Sequence, residues 1–424
     1  MERPLTRNIK PGAPPLDLPS YEAEGGYKTL RAVLGRVAPA DLVATIEQSG
    51  LGGRGGGGFS TGRKWQAMPS AAERPGPRYF IINADEMEPG TFKDRLLLEG
   101  DPHQLLEGLI LSAYAVQATH GIVFVRGEYV RAIQALQRAV GQAEARGFLA
   151  QNILGSGFHF TVDIHASAGR YICGEETAML NALEGKRAIP RAKPPLPQTS
   201  GLFGCPTIIN NVETICNVPH IIGRGVDWYR GLGVNGAAGT KIFGVSGRVN
   251  HPGAYELPMG TPLRELVEDY GGGMRTGFGF RALLPGGAST GFMQGEEMDI
   301  PMSVEAFAAR GHRLGTGTAI ILDDRTCPVA FIANLQTFFA QESCGWCAPC
   351  RDGLPWVAQT LNAIETGKGT TSDLSLLAEM TDHLGPGRTF CALAPGAMAS
   401  LQTGLACFRE DFESHIHNGR CAWH

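Results

Sequence analysis

Residues 78–90 read RYFIINADEMEPG, a short apolar run that ends in an acidic cluster and a Pro-Gly turn. A run of this length bounded by turn residues predicts a buried strand over RYFIINA. A helix over 101–118 follows, with Asp101 as N-cap and Pro102 at its first position. The pattern then repeats: a strand at GIVFVR (121–126), a helix over 128–146, a strand at FHFTVDIHA (158–166) and a helix after Gly174. Strands alternating with helices predict an α/β fold whose parallel sheet is covered on both faces. Ligands of such sheets bind beyond the carboxyl ends of the strands. Asn83, Asp85, Glu86 and Glu88, at the carboxyl end of the first strand, are therefore candidate binding residues.

Upstream, residues 1–75 read as a Pro-rich arm, helical stretches over 27–37 and 39–48, and a glycine run. Residues 76–235 form the α/β domain. Beyond Gly231 the alternation stops, and KIFGVSGRV, a turn at 250–253, AYELP, a helix over 261–270, RALLPGG and AIILDD predict a small α+β unit over 236–327. Residues 328–424 read as four helices, over 328–341, after Cys350, over 372–383 and over 396–415, which would make a small bundle.

Composition narrows the function classes. With 43% hydrophobic and 18% charged residues among 424, the chain is an ordinary globular protein rather than a disordered one. A net charge of -4 offers no broad cationic surface for nucleic acid or anionic lipid. MERPLTRNIKPGAPPLD has no apolar core of an export signal, and nowhere do about 18 apolar residues run together, so the expectation is a soluble intracellular protein. Its ten cysteines are then metal ligands or buried small hydrophobes rather than a disulfide framework.

In ESCGWCAPCR, Cys344, Cys347 and Cys350 recur at every third residue, and Cys391 lies downstream just ahead of a helix. Three cysteines in two successive C-x2-C steps, with one remote cysteine, match 4Fe-4S ligation better than zinc, whose sites come as paired C-x2-C or with histidines. Cys327, Cys407 and Cys421 compete with Cys391 as the fourth ligand.

The string GGRGGGGFSTGRKW (52–65) contains G-x-G-x-x-G at Gly53, Gly55 and Gly58, but a helical segment rather than a strand precedes it. Its glycines, Gly56 and Gly57 among them, leave an open backbone surface on which a flat ring could lie, and Arg54 and Lys64 add charge for phosphates. Glu175 and Glu176 open a helix after YICG, a place that helix capping alone would also explain. Asn210, Asn211 and Thr214 in TIINNVETICNVP lie near a helix start suited to phosphate.

GGRGGGGFSTGRKW, YICGEETAMLNALEG and SCGWCAPCR, joined by NADEMEPGTFKDR and INNVETICNVP, occur here in one chain and in that order. Together they resemble the NADH-binding flavoprotein subunit of respiratory complex I, the family of the F subunit of NADH-quinone oxidoreductase. The resemblance implies a Rossmann-like FMN and NADH domain, a ubiquitin-like β-grasp domain and a C-terminal four-helix bundle with a 4Fe-4S cluster. It implies FMN against Arg54, Gly55, Lys64, Asn83, Asp85, Tyr171, Gly174, Glu175 and Glu176, with Asn210, Asn211 and Thr214 toward the ribityl phosphate. NADH would meet Gly56, Phe59, Glu88, Glu176 and Lys193, with Glu88 and Glu176 orienting the nicotinamide. The positions matched to adenine-holding aromatics are Ala67 and Leu196, so adenine stacking would be weaker or shared with Phe203.

The implied reaction is hydride transfer from NADH to FMN, then single electrons into the cluster, feeding quinone reduction. Implied partners are a 2Fe-2S thioredoxin-like subunit and a larger iron–sulfur subunit, on the cytoplasmic face of a bacterial inner membrane. Two alternatives stand beside this. One is the diaphorase subunit of a soluble NAD-reducing hydrogenase or NAD-dependent formate dehydrogenase. The other is an iron–sulfur relay without catalysis, which predicts a cluster with no flavin.

Overall fold

The computed structural model describes residues 1–423. Its first sheet holds four parallel strands, β1 (Tyr79–Ala84), β2 (His120–Val125), β3 (Thr161–Ala166) and β4 (Thr207–Asn211), in the order β3-β2-β1-β4. The three strands expected from the sequence are present, and TIINN supplies a fourth. β4 has no alternation because four of its five residues are buried. The chain steps from β1 to β2 to β3 on one side, then returns to place β4 on the other side of β1. The carboxyl ends of β1 and β4 thus flank the topological switch point, where open α/β sheets carry their ligand crevice.

Behind the sheet lies the Pro102–Ala115 helix, buried along nearly its whole length, with the Asp101 side chain capping Gln104 N–H as expected. Its Glu107 carboxylate accepts from Tyr21 Oη (2.7 Å) and from the backbone N–H groups of Tyr27 (2.8 Å) and Leu30 (3.1 Å). Tyr27, Leu30 and Ile46 are fully buried in the same core as Phe80 and Ile82. The N-terminal segment is therefore built into the α/β core.

The second sheet is mixed, with β5 (Thr240–Ser246), β6 (Gly253–Pro258), β7 (Phe280–Leu284) and β8 (Thr318–Asp323) ordered β6-β5-β8-β7. β5 and β6 form an antiparallel hairpin, and β8 runs parallel to β5. The C-terminal region has five described helices rather than four: Pro328–Glu342, Ala348–Glu365, Thr371–His383, Leu393–Cys407 and Arg409–Asn418. The helix expected over 396–415 breaks at Phe408, which leaves helical dihedrals and buries its ring edge-on to Phe292, centroids 5.1 Å apart. These helices share a core with Ile81, Phe124 and Ile209 on the other face of the first sheet. That packing brings the cysteine-bearing loops to the carboxyl ends of the strands. Among the described residues no helix is long and apolar enough to cross a membrane.

Candidate functional site

A cavity of about 450 Å³ opens at the switch point. Its walls are the glycine loop, the loop after β1, the Tyr171–Gly174 turn with Glu175 and Glu176, the end of β4, residues 313, 315 and 316 of the second unit, and Cys391 to Leu393. Of the residues expected to hold FMN or the nicotinamide, all line it except Arg54 and Lys193.

The glycine loop is closed at its base by a bridge between Gly52 and Ser60 and by Gly53 N–H donating to the Phe59 carbonyl (2.8 Å). A Cβ on Gly55 would stand 3.1 Å from the Asn211 Cβ, so glycine lets this backbone lie on the end of β4. Gly57 faces open space, and a Cβ there would have nothing within 4 Å. Arg54 departs from expectation. Its guanidinium is buried away from the cavity and donates to Tyr229 Oη (3.1 Å) and the carbonyls of Ala238 and Thr240 (both 3.3 Å). It anchors the loop, whose Arg54 N–H also donates to Thr214 Oγ1 (2.8 Å).

The carboxylates divide into distinct roles. Asp85 is buried, with one oxygen accepting from Ser167 Oγ (2.7 Å) and Oδ2 without a partner. Burial pushes its carboxyl up to about 6, since only the Ser167 hydrogen bond and Arg126 oppose the desolvation. Glu86 lines the cavity but its oxygens are taken: they accept from Asp94 and Arg95 N–H at the start of the Lys93–Gly100 helix and from Tyr129 Oη. It caps a helix rather than facing a ligand, and burial raises it to about 7. Glu88 is held from two sides, by Tyr171 Oη (2.6 Å) and by Ser289 N–H (2.7 Å), and its carboxyl too is raised by burial.

The Glu175-Glu176 pair splits. Glu175 caps its helix by accepting from Thr177 and Ala178 N–H, while Glu176 meets Lys64 (2.9 Å) and Lys193 (2.8 Å). Burial alone would raise Glu176, but those two ammonium groups overcome it and hold the carboxyl at about 2. Lys193 thus reaches the site through Glu176. Asn83 donates to the Gly174 carbonyl (3.0 Å), which fixes the Tyr171–Gly174 turn against β1.

At the other end, Asn210 Oδ1 accepts from Trp65 Nε1 (2.9 Å), and Asn211 caps the short helix after β4. Beside them stands Lys93, a lining residue that sequence reading did not single out. It is almost fully buried, paired with Asp94 (2.7 Å) and Glu213 (2.9 Å), and it also donates to Asn211 Oδ1 (3.2 Å). Burial would lower its affinity for a proton, yet Asp94 and Glu213 hold it above the ordinary lysine range. Ser289, Arg313 and Thr316 were missed as well, since they come from the second unit and no local signal marks them. Of the adenine-related positions, Leu196 and Phe203 are exposed and neither lines the cavity, whereas Phe59 does and is 63% exposed.

Cys344 lies in a loop, Cys347 is the N-cap of the Ala348–Glu365 helix and Cys350 sits in its first turn. Cys350 is buried, which raises its thiol to about 12, and Cys347, Cys391 and Cys344 all add to the rise through their proximity. Cys391 is raised to about 11 by burial and feels Cys344 and Cys347 in turn. The four expected thiols thus share one neighbourhood, whereas Cys327 and Cys421 belong to another group. Four gathered soft donors, an unpartnered buried carboxylate oxygen and an open glycine backbone fit an iron–sulfur cluster and a flavin-sized ring system respectively.

Three family models match in order: the Nuo51 FMN-binding domain over residues 46–220, the SLBB domain over 242–292 and the NADH-ubiquinone oxidoreductase-F iron-sulfur binding region over 330–415. The chain is 51% identical over 413 residues to the F subunit of NADH-quinone oxidoreductase in Salmonella typhimurium, covering 97% of this chain and 93% of the relative. It is 46% identical over 401 residues to the protein of that name in Streptomyces coelicolor, covering 95% and 88%. Among solved structures, a chain of an H2-reduced NAD+-reducing [NiFe]-hydrogenase superposes with a TM-score of 0.82 at 33% identity. That match covers 94% of this chain but only 66% of the hydrogenase chain, slightly under two thirds of its length.

Proposed function

Because the chain belongs to the family of the NADH-quinone oxidoreductase F subunit, we propose that its cavity is where NADH is oxidised, with FMN as first acceptor and the 4Fe-4S cluster as exit. The observation that carries this reading is that Cys391 and the glycine loop line one and the same cavity. FMN held there by Gly55 to Gly57, Asp85, Asn210 and Asn211 would supply the chemistry that links a two-electron hydride donor to a one-electron cluster. The protein's part is positioning and electrostatics.

Gly55 to Gly57 offer backbone to the flavin ring. Asp85 Oδ2 is an acceptor for a flavin or ribityl donor, which would relieve its missing hydrogen bond. Lys93, Asn210, Asn211 and Thr214 face the ribityl phosphate, where a buried ammonium is worth more than an exposed one. Gly56, Phe59 and Glu176 with Lys193 receive the nucleotide. Glu88, fixed by Tyr171 and Ser289, orients the nicotinamide, and neither Glu88 nor Glu176 needs to exchange a proton, since hydride moves directly. Cys344, Cys347, Cys350 and Cys391 hold the cluster.

The second sheet, with its hairpin and central parallel pair, supports a β-grasp reading for residues 236–327. Residues 328–424 serve as the cluster domain, with the glycine loop in 1–75 completing the nucleotide domain of 76–235. Within a multi-subunit complex, a 2Fe-2S subunit and a larger iron–sulfur subunit are the partners, on the cytoplasmic face of the membrane. Coverage of 93% of an F subunit against 66% of a hydrogenase chain favours complex I over the soluble enzymes. Purifying the chain, recording its flavin absorbance and adding NADH anaerobically tests the reading. A chain without FMN, or without bleaching of the flavin band, would be a relay only.

A further inference from the structure

Away from the cavity, the sulfur of Cys327, the carboxylate of Glu365, the imidazole of His415 and the sulfur of Cys421 converge so that their donor atoms lie within 4.8 Å of one another. We propose that these four side chains form a structural zinc site, separate from the iron–sulfur cysteines, that fastens residues 419–421 to the helical region. Two thiolates, an imidazole and a carboxylate are a complete tetrahedral set for zinc, and softer than magnesium or calcium would choose.

The spacing fits the ion. Zinc bonds of about 2.0–2.3 Å place neighbouring ligands of a tetrahedron about 3.3–3.8 Å apart. Here Cys327 Sγ is 3.4 Å from both His415 Nε2 and Glu365 Oε2, and those two are 3.2 Å apart. Cys327, His415 and Cys421 are buried, and the Glu365 side chain is 16% exposed, so the set is closed to solvent as structural zinc sites are.

The surrounding groups orient the ligands. His415 Nδ1 lies 2.7 Å from the Asp411 carbonyl, an acceptor that turns Nε2 toward Cys327 Sγ and Glu365 Oε2, as in zinc-bound histidines. Each sulfur accepts a backbone N–H, Cys327 from Ala330 (3.3 Å) and Cys421 from Trp423 (3.4 Å). Cys327 is moreover the N-cap of the Pro328–Glu342 helix, which fixes its sulfur at the helix start. A close approach of two turns brings the distant ligands together: a Cβ on Gly367 would fall 1.9 Å from the Gly419 carbonyl oxygen. The turn after Glu365 and the segment leading to Cys421 can touch because Gly367 carries no side chain.

The test uses the full chain, purified anaerobically with its cluster and flavin. Elemental analysis should find one zinc per chain beside the cluster iron, and zinc-edge X-ray absorption should show sulfur near 2.3 Å with lighter atoms near 2.0 Å, roughly the distances of such sites. Cys421→Ser and His415→Ala should each lose the zinc while keeping the flavin absorbance and the cluster signal. Should both variants fail to fold, the native chain decides: cobalt(II) exchanged for its zinc should give thiolate charge-transfer and tetrahedral d–d bands. Native chain lacking zinc and giving no such bands would overturn the proposal. So would zinc retained in both variants, or a Cys327–Cys421 disulfide found by mass spectrometry of the same preparation.

Discussion

Asp85→Asn separates what the site costs the fold from what it gives the ligand. In the flavin-free chain the Asp85 carboxyl is held near 6, against an ordinary value of 3.8, because burial leaves Oδ2 unpartnered. That difference corresponds to about 3 kcal/mol once the group is ionised in both states. The sign follows from proton binding. Between about pH 4 and 6 the folded chain holds more protons than the unfolded one, so this group makes stability fall as pH rises through that window. Asparagine keeps an acceptor for Ser167 without the charge. The variant should be more stable than wild type by up to about 3 kcal/mol at pH 8 and by about half that at pH 5. Urea denaturation of the flavin-free, cluster-loaded chain at both pH values measures it. FMN affinity should move the other way, falling roughly 10- to 100-fold, the usual worth of a hydrogen bond to a charged acceptor. A stability difference that is the same at both pH values would refute the burial argument, and unchanged FMN affinity would remove Asp85 from the flavin site.

Glu213 lies fully buried between Lys93 and Lys241 (2.9 and 3.0 Å), so Glu213→Gln should cost about 3–5 kcal/mol by leaving two buried cations unpaired, read as a fall in the urea midpoint. Gly57→Ala meets no protein atom, so its melting temperature should hold within about 2 °C while flavin affinity falls; a tighter-binding variant would mean the ring lies elsewhere. Glu88→Gln should alter NADH affinity or the flavin potential, measured by steady-state kinetics and redox titration, and no change in either would exclude Glu88 from the nucleotide site. Cys391→Ser should abolish the reduced-cluster EPR signal, whereas Cys407→Ser should retain it.

Much of this was legible because its signals are local. The apolar run of β1, the spacing of Cys344, Cys347 and Cys350, and the density of glycine at 55–58 each read from one window. β4 escaped because a strand buried on both faces lacks a period. Lys93 escaped because a lysine's burial depends on Glu213, 120 residues away. Arg54, Glu86 and Glu175 carried charge of the right kind in the right place, but the fold turns Arg54 toward backbone carbonyls and uses Glu86 and Glu175 to cap helices. Cys327 and Cys421 drew notice only as rivals to Cys391. Their company with His415 and Glu365 depends on how the terminal helices close on one another, which no spacing encodes.

The cavity's walls begin at Gly53 and end at Leu393. During synthesis the Rossmann-like strands can pair before the last wall exists, since Cys391 to Leu393 leave the ribosome long after β4 (Thr207–Asn211). Until then the glycine loop and the acidic loop enclose a groove open on one side. Flavin captured early would face solvent there, and its retention would have to await the closing helices. The order of residues along the chain would in this way set when the cavity can close around a cofactor, with Cys391 to Leu393 the last wall set in place.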